Sequence, residues 1–131
     1  MSKGRDMSTP LNRVRGLGSA KDGTEHFWRQ RLTAIANVPL TLFFVGLLIA
    51  LNGAGYAETR AVLSNPFVGL VLLAFILSAL YHMRIGMQVI IEDYVHGEAM
   101  KFALLILNTF FTIAVGAVSV FAILRIAFGV A

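Results

Sequence analysis

"FVGLVLLAFILSALYHMRIGMQVIIEDYVHGE", residues 67–98, decides the architecture. From Phe67 to Tyr81 it carries no charge, and it stays mostly apolar as far as Ile91. A run of that kind is what a hydrocarbon core of about 30 Å requires of a crossing helix. His82 and Arg84 interrupt the run, and the adjacent carboxylates Glu92 and Asp93 close it. Two further segments can also span: "AIANVPLTLFFVGLLIAL" (Ala34 to Leu51), which has no charge, and a third from Phe102 to the neighbourhood of Phe128, with Arg125 near its end. The sequence therefore predicts an all-α membrane protein of three transmembrane helices.

Composition agrees. Of 131 residues, 57% are hydrophobic and 14% charged, too apolar for a soluble domain of this size. With no cysteine, the chain holds no disulfide, thiolate metal site or cysteine-bound iron–sulfur cluster. No glycine-rich strand-to-helix fingerprint marks a dinucleotide domain. The net charge of +4 raises the question of nucleic acid, but the basic residues flank apolar segments and form no stripe with interleaved aromatics. No nucleic-acid partner is expected; the lipid bilayer is.

"NGAGYAETRAVLSNP" reads as a short loop between the first two spans, and "EDYVHGEAMK" as the return to the third, with Gly97 as its hinge. Lys3, Arg5, Arg13, Arg15, Lys21, Arg29 and Arg31 precede the first span and Lys101 lies in the second connection, whereas Arg60 and Arg125 fall on the other side. The positive-inside rule then places the N-terminus inside and the C-terminus outside. Residues 1–25 form a basic N-terminal arm ahead of a membrane-anchor domain at 26–131. The arm lacks the apolar stretch of a secretory signal; it is read as a surface arm for headgroups or a soluble partner, and its composition also fits a mitochondrial transit peptide.

At about 100° per residue, His82, Gly86, Val89, Asp93 and His96 fall within a stripe roughly 80° wide, with Arg84 nearly opposite. Asp93 lies about 16 Å along the axis from His82, near the inner interface, where Arg29 and Arg31 also enter. An intramembrane histidine invites two readings: a hydrogen bond tying helices together, or an axial haem ligand with Gly86 clearing room for a flat porphyrin. A second axial ligand would have to come from another chain. Glu92 and Asp93 likewise read either as solvated charges beyond the helix end or as part of a polar pocket with Tyr94, of the kind a quinone needs.

The segment "HMRIGMQVIIEDYVHGE" resembles the second transmembrane helix of the small membrane-anchor (cytochrome b) subunits of succinate dehydrogenase, respiratory complex II, in their D-type form. The matching residues are His82, Gly86, Gln88, Val89, Asp93 and Tyr94, and "RLTAI" in "GTEHFWRQRLTAIANVPL" is similar to that family's entry into its first helix. The resemblance implies a non-autonomous subunit that helps bind haem b and forms part of the ubiquinone-reduction site. Its partners would be a second anchor cytochrome b subunit, an iron–sulfur subunit and a flavoprotein subunit. By matched position, His82 would ligate the haem iron, Tyr94 and Asp93 would meet the quinone, and Arg31 and His26 would contact a haem propionate or the quinone entrance. Arg84 departs from the apolar residue expected there. The implied location is the bacterial cytoplasmic membrane, with the mitochondrial inner membrane as alternative. A fumarate reductase anchor, or a non-redox transporter or assembly subunit using His82 and Arg84 as a polar pathway, are the rival readings.

Overall fold

The computed structural model describes residues 9–11 and 22–129. The basic arm falls mostly outside these residues, except that residues 22–25 open the first helix. From residue 22 on, the described residues form, in order, α1 (Asp22–Ala50), α2 (Tyr56–Leu63), α3 (Pro66–Tyr94) and α4 (Glu98–Ala127). Three of them, α1, α3 and α4, are long and apolar enough to cross a membrane. At 29 or 30 residues each of these is about 43 Å long, so its ends project beyond the hydrocarbon. With no water to satisfy free backbone groups inside a bilayer, these three spans close their hydrogen bonds internally.

α3 is the middle of the arrangement. α1 packs along one side of it and α4 along the other, and α1 and α4 do not pack against each other. The contacts run antiparallel on both sides: Phe44 stacks on Phe75 at 5.0 Å while Thr33 meets His82, and Gly69 faces Ala127 while Arg84 faces Asn108. One end of the molecule thus carries the start of α1 and the α3–α4 turn; the other carries α2 and the end of α4. Among the described residues only Ile85 and Ile91 are buried apolar side chains, both at 5% exposure, while Leu32, Ile35, Leu42 and Ile49 stand out from α1. Such a row of apolar side chains is stable where the surroundings are lipid or another apolar chain.

Local chemistry sets the connections. After α1 the chain turns through Gly53, whose φ of 82° is left-handed and suits glycine. The segment expected to be a simple loop contains α2 instead. Between Gly55 and Ser64 there is no proline or glycine, and "YAETRAVL" consists largely of good helix formers with Glu58 in the first turn, so a short helix forms before Pro66 can stop it. Asn65 caps α3 by accepting a bond from the Phe67 amide at 2.9 Å, with Pro66 at the first helical position.

The opposite connection is tighter than the sequence predicts. α3 continues through Glu92, Asp93 and Tyr94, so these are residues of the last turn, not of a loop beyond it. Gln88 donates to Glu92 at 2.8 Å one turn apart, and the Val95 amide bonds the Ile91 carbonyl. His96 lies outside the helix and leaves the stripe, which ends at Asp93. Only residues 95–97 link α3 to α4. Gly97 caps α4 with φ −79°, a conformation open to any residue, so its flexibility is not what makes the turn.

Candidate functional site

The two faces of α3 differ in chemistry. Toward α4, small residues allow close approach: a Cβ on Gly116 would meet Leu80 at 3.4 Å and one on Gly69 would meet Ala127 at 3.6 Å. The Asn108 amide donates to the Arg84 carbonyl at 3.0 Å, and Thr109 and Thr112 return their hydroxyl protons to carbonyls of their own helix. Arg84, at the opposite side of α3 from His82, therefore belongs to this face, half-buried.

Toward α1 the seam divides. Near α2 it is aromatic, with Phe44 on Phe75 and Phe43 edge-on to Phe67. Nearer the α3–α4 turn it becomes polar. α1 contributes His26, Gln30, Thr33 and Asn37, all half-buried and spaced as one helical stripe; α3 contributes Ser78 and His82. His82 Nδ1 lies 3.0 Å from Thr33 Oγ1. The same hydroxyl donates to the Arg29 carbonyl at 2.8 Å and the Gln30 carbonyl at 3.1 Å. Asn37 and Ser78 sit one turn away from that pair on their respective helices, and Asn37 Oδ1 and Ser78 Oγ are buried with no partner among the described residues. His26 Nε2 is buried in the same condition.

The candidate haem and quinone residues occupy distinct levels. His82 Nε2 makes no hydrogen bond among the described residues, on a half-buried ring. Gly86, one turn along, would put a Cβ 3.8 Å from the Gln30 amide, an ordinary contact, so packing against α1 does not demand glycine there. Among the described residues no three His, Asp or Glu side chains cluster to hold a metal ion, and His82 is the imidazole at the middle of α3. A single imidazole of this kind is a donor that fits a haem iron. Asp93 and Tyr94 are exposed in the last turn of α3, about 16 Å from His82 along the helix. His26 lies on the same seam as His82, at a level between it and the turn.

Arg31 is not brought to that seam. At about 100° per residue it lies some 160° around α1 from Thr33, exposed, with its guanidinium 4.5 Å from the Phe27 ring centre. Arg29 pairs with Glu25 at 2.7 Å on the same turn. A groove of about 580 Å³ at the α2 end, lined by Tyr56, Arg60, Phe121 and Arg125 among others, is remote from all of these groups.

The family described as succinate dehydrogenase/fumarate reductase transmembrane subunit matches residues 5–122. This chain belongs to that family. Among its relatives, the succinate dehydrogenase hydrophobic membrane anchor subunit of Paracoccus denitrificans is 32% identical over 121 residues, covering 92% of this chain and 93% of the relative. The subunit of the same description from Rickettsia bellii is 33% identical over 108 residues, with 82% and 86% covered. The succinate dehydrogenase membrane anchor subunit of Reclinomonas americana is 36% identical over 84 residues, with 62% and 70% covered. No solved structure matches the chain. The expected family is thereby shown, and with its three apolar spans the chain is a membrane-embedded member of it.

Sequence reasoning missed Thr33, Gln30, Asn37, Ser78 and Asn108. A signal for the first three was present, since residues 26, 30, 33 and 37 are polar at helical spacing leading into an otherwise apolar span. Asn108 is a lone amide in a long apolar run, the kind of residue that seeks a partner helix in lipid.

Proposed function

We propose that this chain is the membrane-anchor subunit of a succinate:quinone oxidoreductase, in which His82 supplies one axial ligand to a haem b shared with a second anchor chain. The observation that carries this reading is the state of the imidazole: Nδ1 is engaged by Thr33 and Nε2 is left without a protein partner in the middle of a span. Histidines that ligate metals through one nitrogen characteristically use the other as a donor. Bound there, a b haem supplies a one-electron redox centre inside the membrane. Gly86 keeps the neighbouring turn free of side-chain bulk, and the apolar flanks of α1 and α3 exclude water around the ring.

The quinone-reduction role rests on the α3–α4 turn. Tyr94 presents an apolar ring and a phenolic donor, and Asp93 one carboxylate that can hold or pass a proton beside it. Both are exposed, as a pocket completed by other subunits requires. That end also carries the start of α1, with Arg29 and Arg31, so it is the end that would dock the iron–sulfur and flavoprotein subunits from the cytoplasmic side of a bacterial membrane. Arg31, exposed beside Phe27, is left to meet a propionate or a headgroup outside the α1–α3 seam. The names of the relatives favour succinate oxidation over fumarate reduction, and family membership favours a redox anchor over a transporter.

The test is a reduced-minus-oxidised visible spectrum of the complex that co-purifies with the chain. A b-type band is expected, and His82→Leu should abolish or alter it while the chain remains in the membrane. An unchanged band in that variant would exclude His82 as a required ligand.

A further inference from the structure

We propose that Thr33 is the positioning residue for His82, fixing its imidazole as the Nδ1–H tautomer and so delivering Nε2 as the ligating nitrogen. This rests on the haem reading of His82 and deepens it.

The inference follows from proton counting. A threonine hydroxyl has one proton and two acceptor sites. At Thr33 that proton is directed to the Arg29 and Gln30 carbonyls, at 2.8 and 3.1 Å. With the proton so placed, the remaining contact, 3.0 Å to His82 Nδ1, is assigned with the ring donating and the hydroxyl oxygen accepting. A neutral imidazole that donates from Nδ1 carries its lone pair on Nε2. The opposite tautomer would require the hydroxyl to abandon its carbonyls and would place a proton on Nε2, where no metal could bind. Thr33 therefore acts through His82: it supplies an acceptor at a fixed height, anchored by the backbone of α1, to a ring borne on α3.

A hydrogen bond from Nδ1–H to an acceptor also increases the electron donation of the imidazole to its metal. Removing the acceptor should make the ligand weaker and the oxidised iron less favoured. Thr33→Val keeps the β-branched shape and deletes only the hydroxyl; Thr33→Ser keeps the hydroxyl and deletes a methyl.

The experiment is a redox titration of the b band, with the low-spin electron paramagnetic resonance signal, on the purified complex carrying each variant, the chain being quantified in the membrane by immunoblot. Thr33→Val should shift the midpoint upward and change the low-spin signal, or lose haem from an assembled complex, and Thr33→Ser should restore the parent values. An unaltered midpoint and signal in Thr33→Val would overturn the assignment. If Thr33→Val does not assemble, Thr33→Ala is read in its place; absence of the chain from the membrane in both assigns Thr33 to helix packing alone and also overturns it. His82→Leu in parallel separates the two claims: if that variant keeps the parent band, it is the haem reading that fails.

Discussion

α3 is one helix with two unlike sides. Against α4 its contacts include glycine, alanine and leucine, and the interhelical hydrogen bond from Asn108 ends on a backbone carbonyl. Against α1, over the stretch near the α3–α4 turn, the contacts are side chain to side chain and include an imidazole. A bond to a backbone carbonyl locks the position of a helix and leaves no titratable or ligating atom over. A bond between a hydroxyl and an imidazole does both jobs, because the ring has a second nitrogen. The α4 side is therefore the structural seam, and the α1 side is where chemistry can be held.

The largest expected effect lies beyond the polar seam, at the last turn of α3. Tyr94→Phe keeps the shape of an exposed ring and deletes the donor, so succinate-dependent quinone reduction should fall roughly ten- to a thousandfold, as for loss of one hydrogen bond to developing charge. Electron delivery to a soluble artificial acceptor should stay at the parent rate. Parent-like quinone reduction at limiting quinone would leave Tyr94 as an interfacial anchor only.

The structural seam is broken most directly at Gly116. A leucine there must displace Leu80, since even a Cβ would sit 3.4 Å from it. Overpacking of this kind costs about 1–3 kcal/mol, read as a lower thermal-inactivation temperature of the complex in detergent. The position of the b band should not move; if it does, the two sides of α3 are coupled.

A smaller loss is expected for Asn108→Leu, which removes the bond to the Arg84 carbonyl. Interhelical hydrogen bonds in membranes are worth about 0.6 kcal/mol on average and rarely above ~1.7. The same thermal assay should register a loss in that range with the haem spectrum intact.

Least of all should follow from Ser78→Ala. Its buried hydroxyl has no partner among the described residues, so deleting it should leave stability unchanged or raise it by up to about 1 kcal/mol. A clear loss of stability would mean that the polar seam recruits a water or another chain at Ser78 and Asn37.

Much of this was legible in the chain itself. Hydrophobic length determines three crossings, because a bilayer has one thickness and a helix one rise per residue. The spacing of His82, Gly86 and Asp93 determines which face of the second span carries polar groups and how far apart they lie. Absent cysteine determines that these 131 residues hold no cysteine-bound iron–sulfur cluster. Periodicity, composition and spacing are local properties, and they survive without knowledge of neighbours.

Other features were decided only by the tertiary structure. "YAETRAVL" could be loop or helix until its neighbours were known, and it packs as α2 against α3 and α4. The carboxylates at 92 and 93 belong to the helix because Gln88 and Ile91 bond onward across its last turn. Arg31 and Thr33 are two residues apart in sequence, yet only Thr33 meets α3, because two residues are more than half a helical turn. Which of the two sides of α3 faces α1, and hence which nitrogen of His82 is engaged, depends on the register between helices 49 residues apart in the chain. That register is set by shape and polar pairing across the seam, which no local pattern encodes.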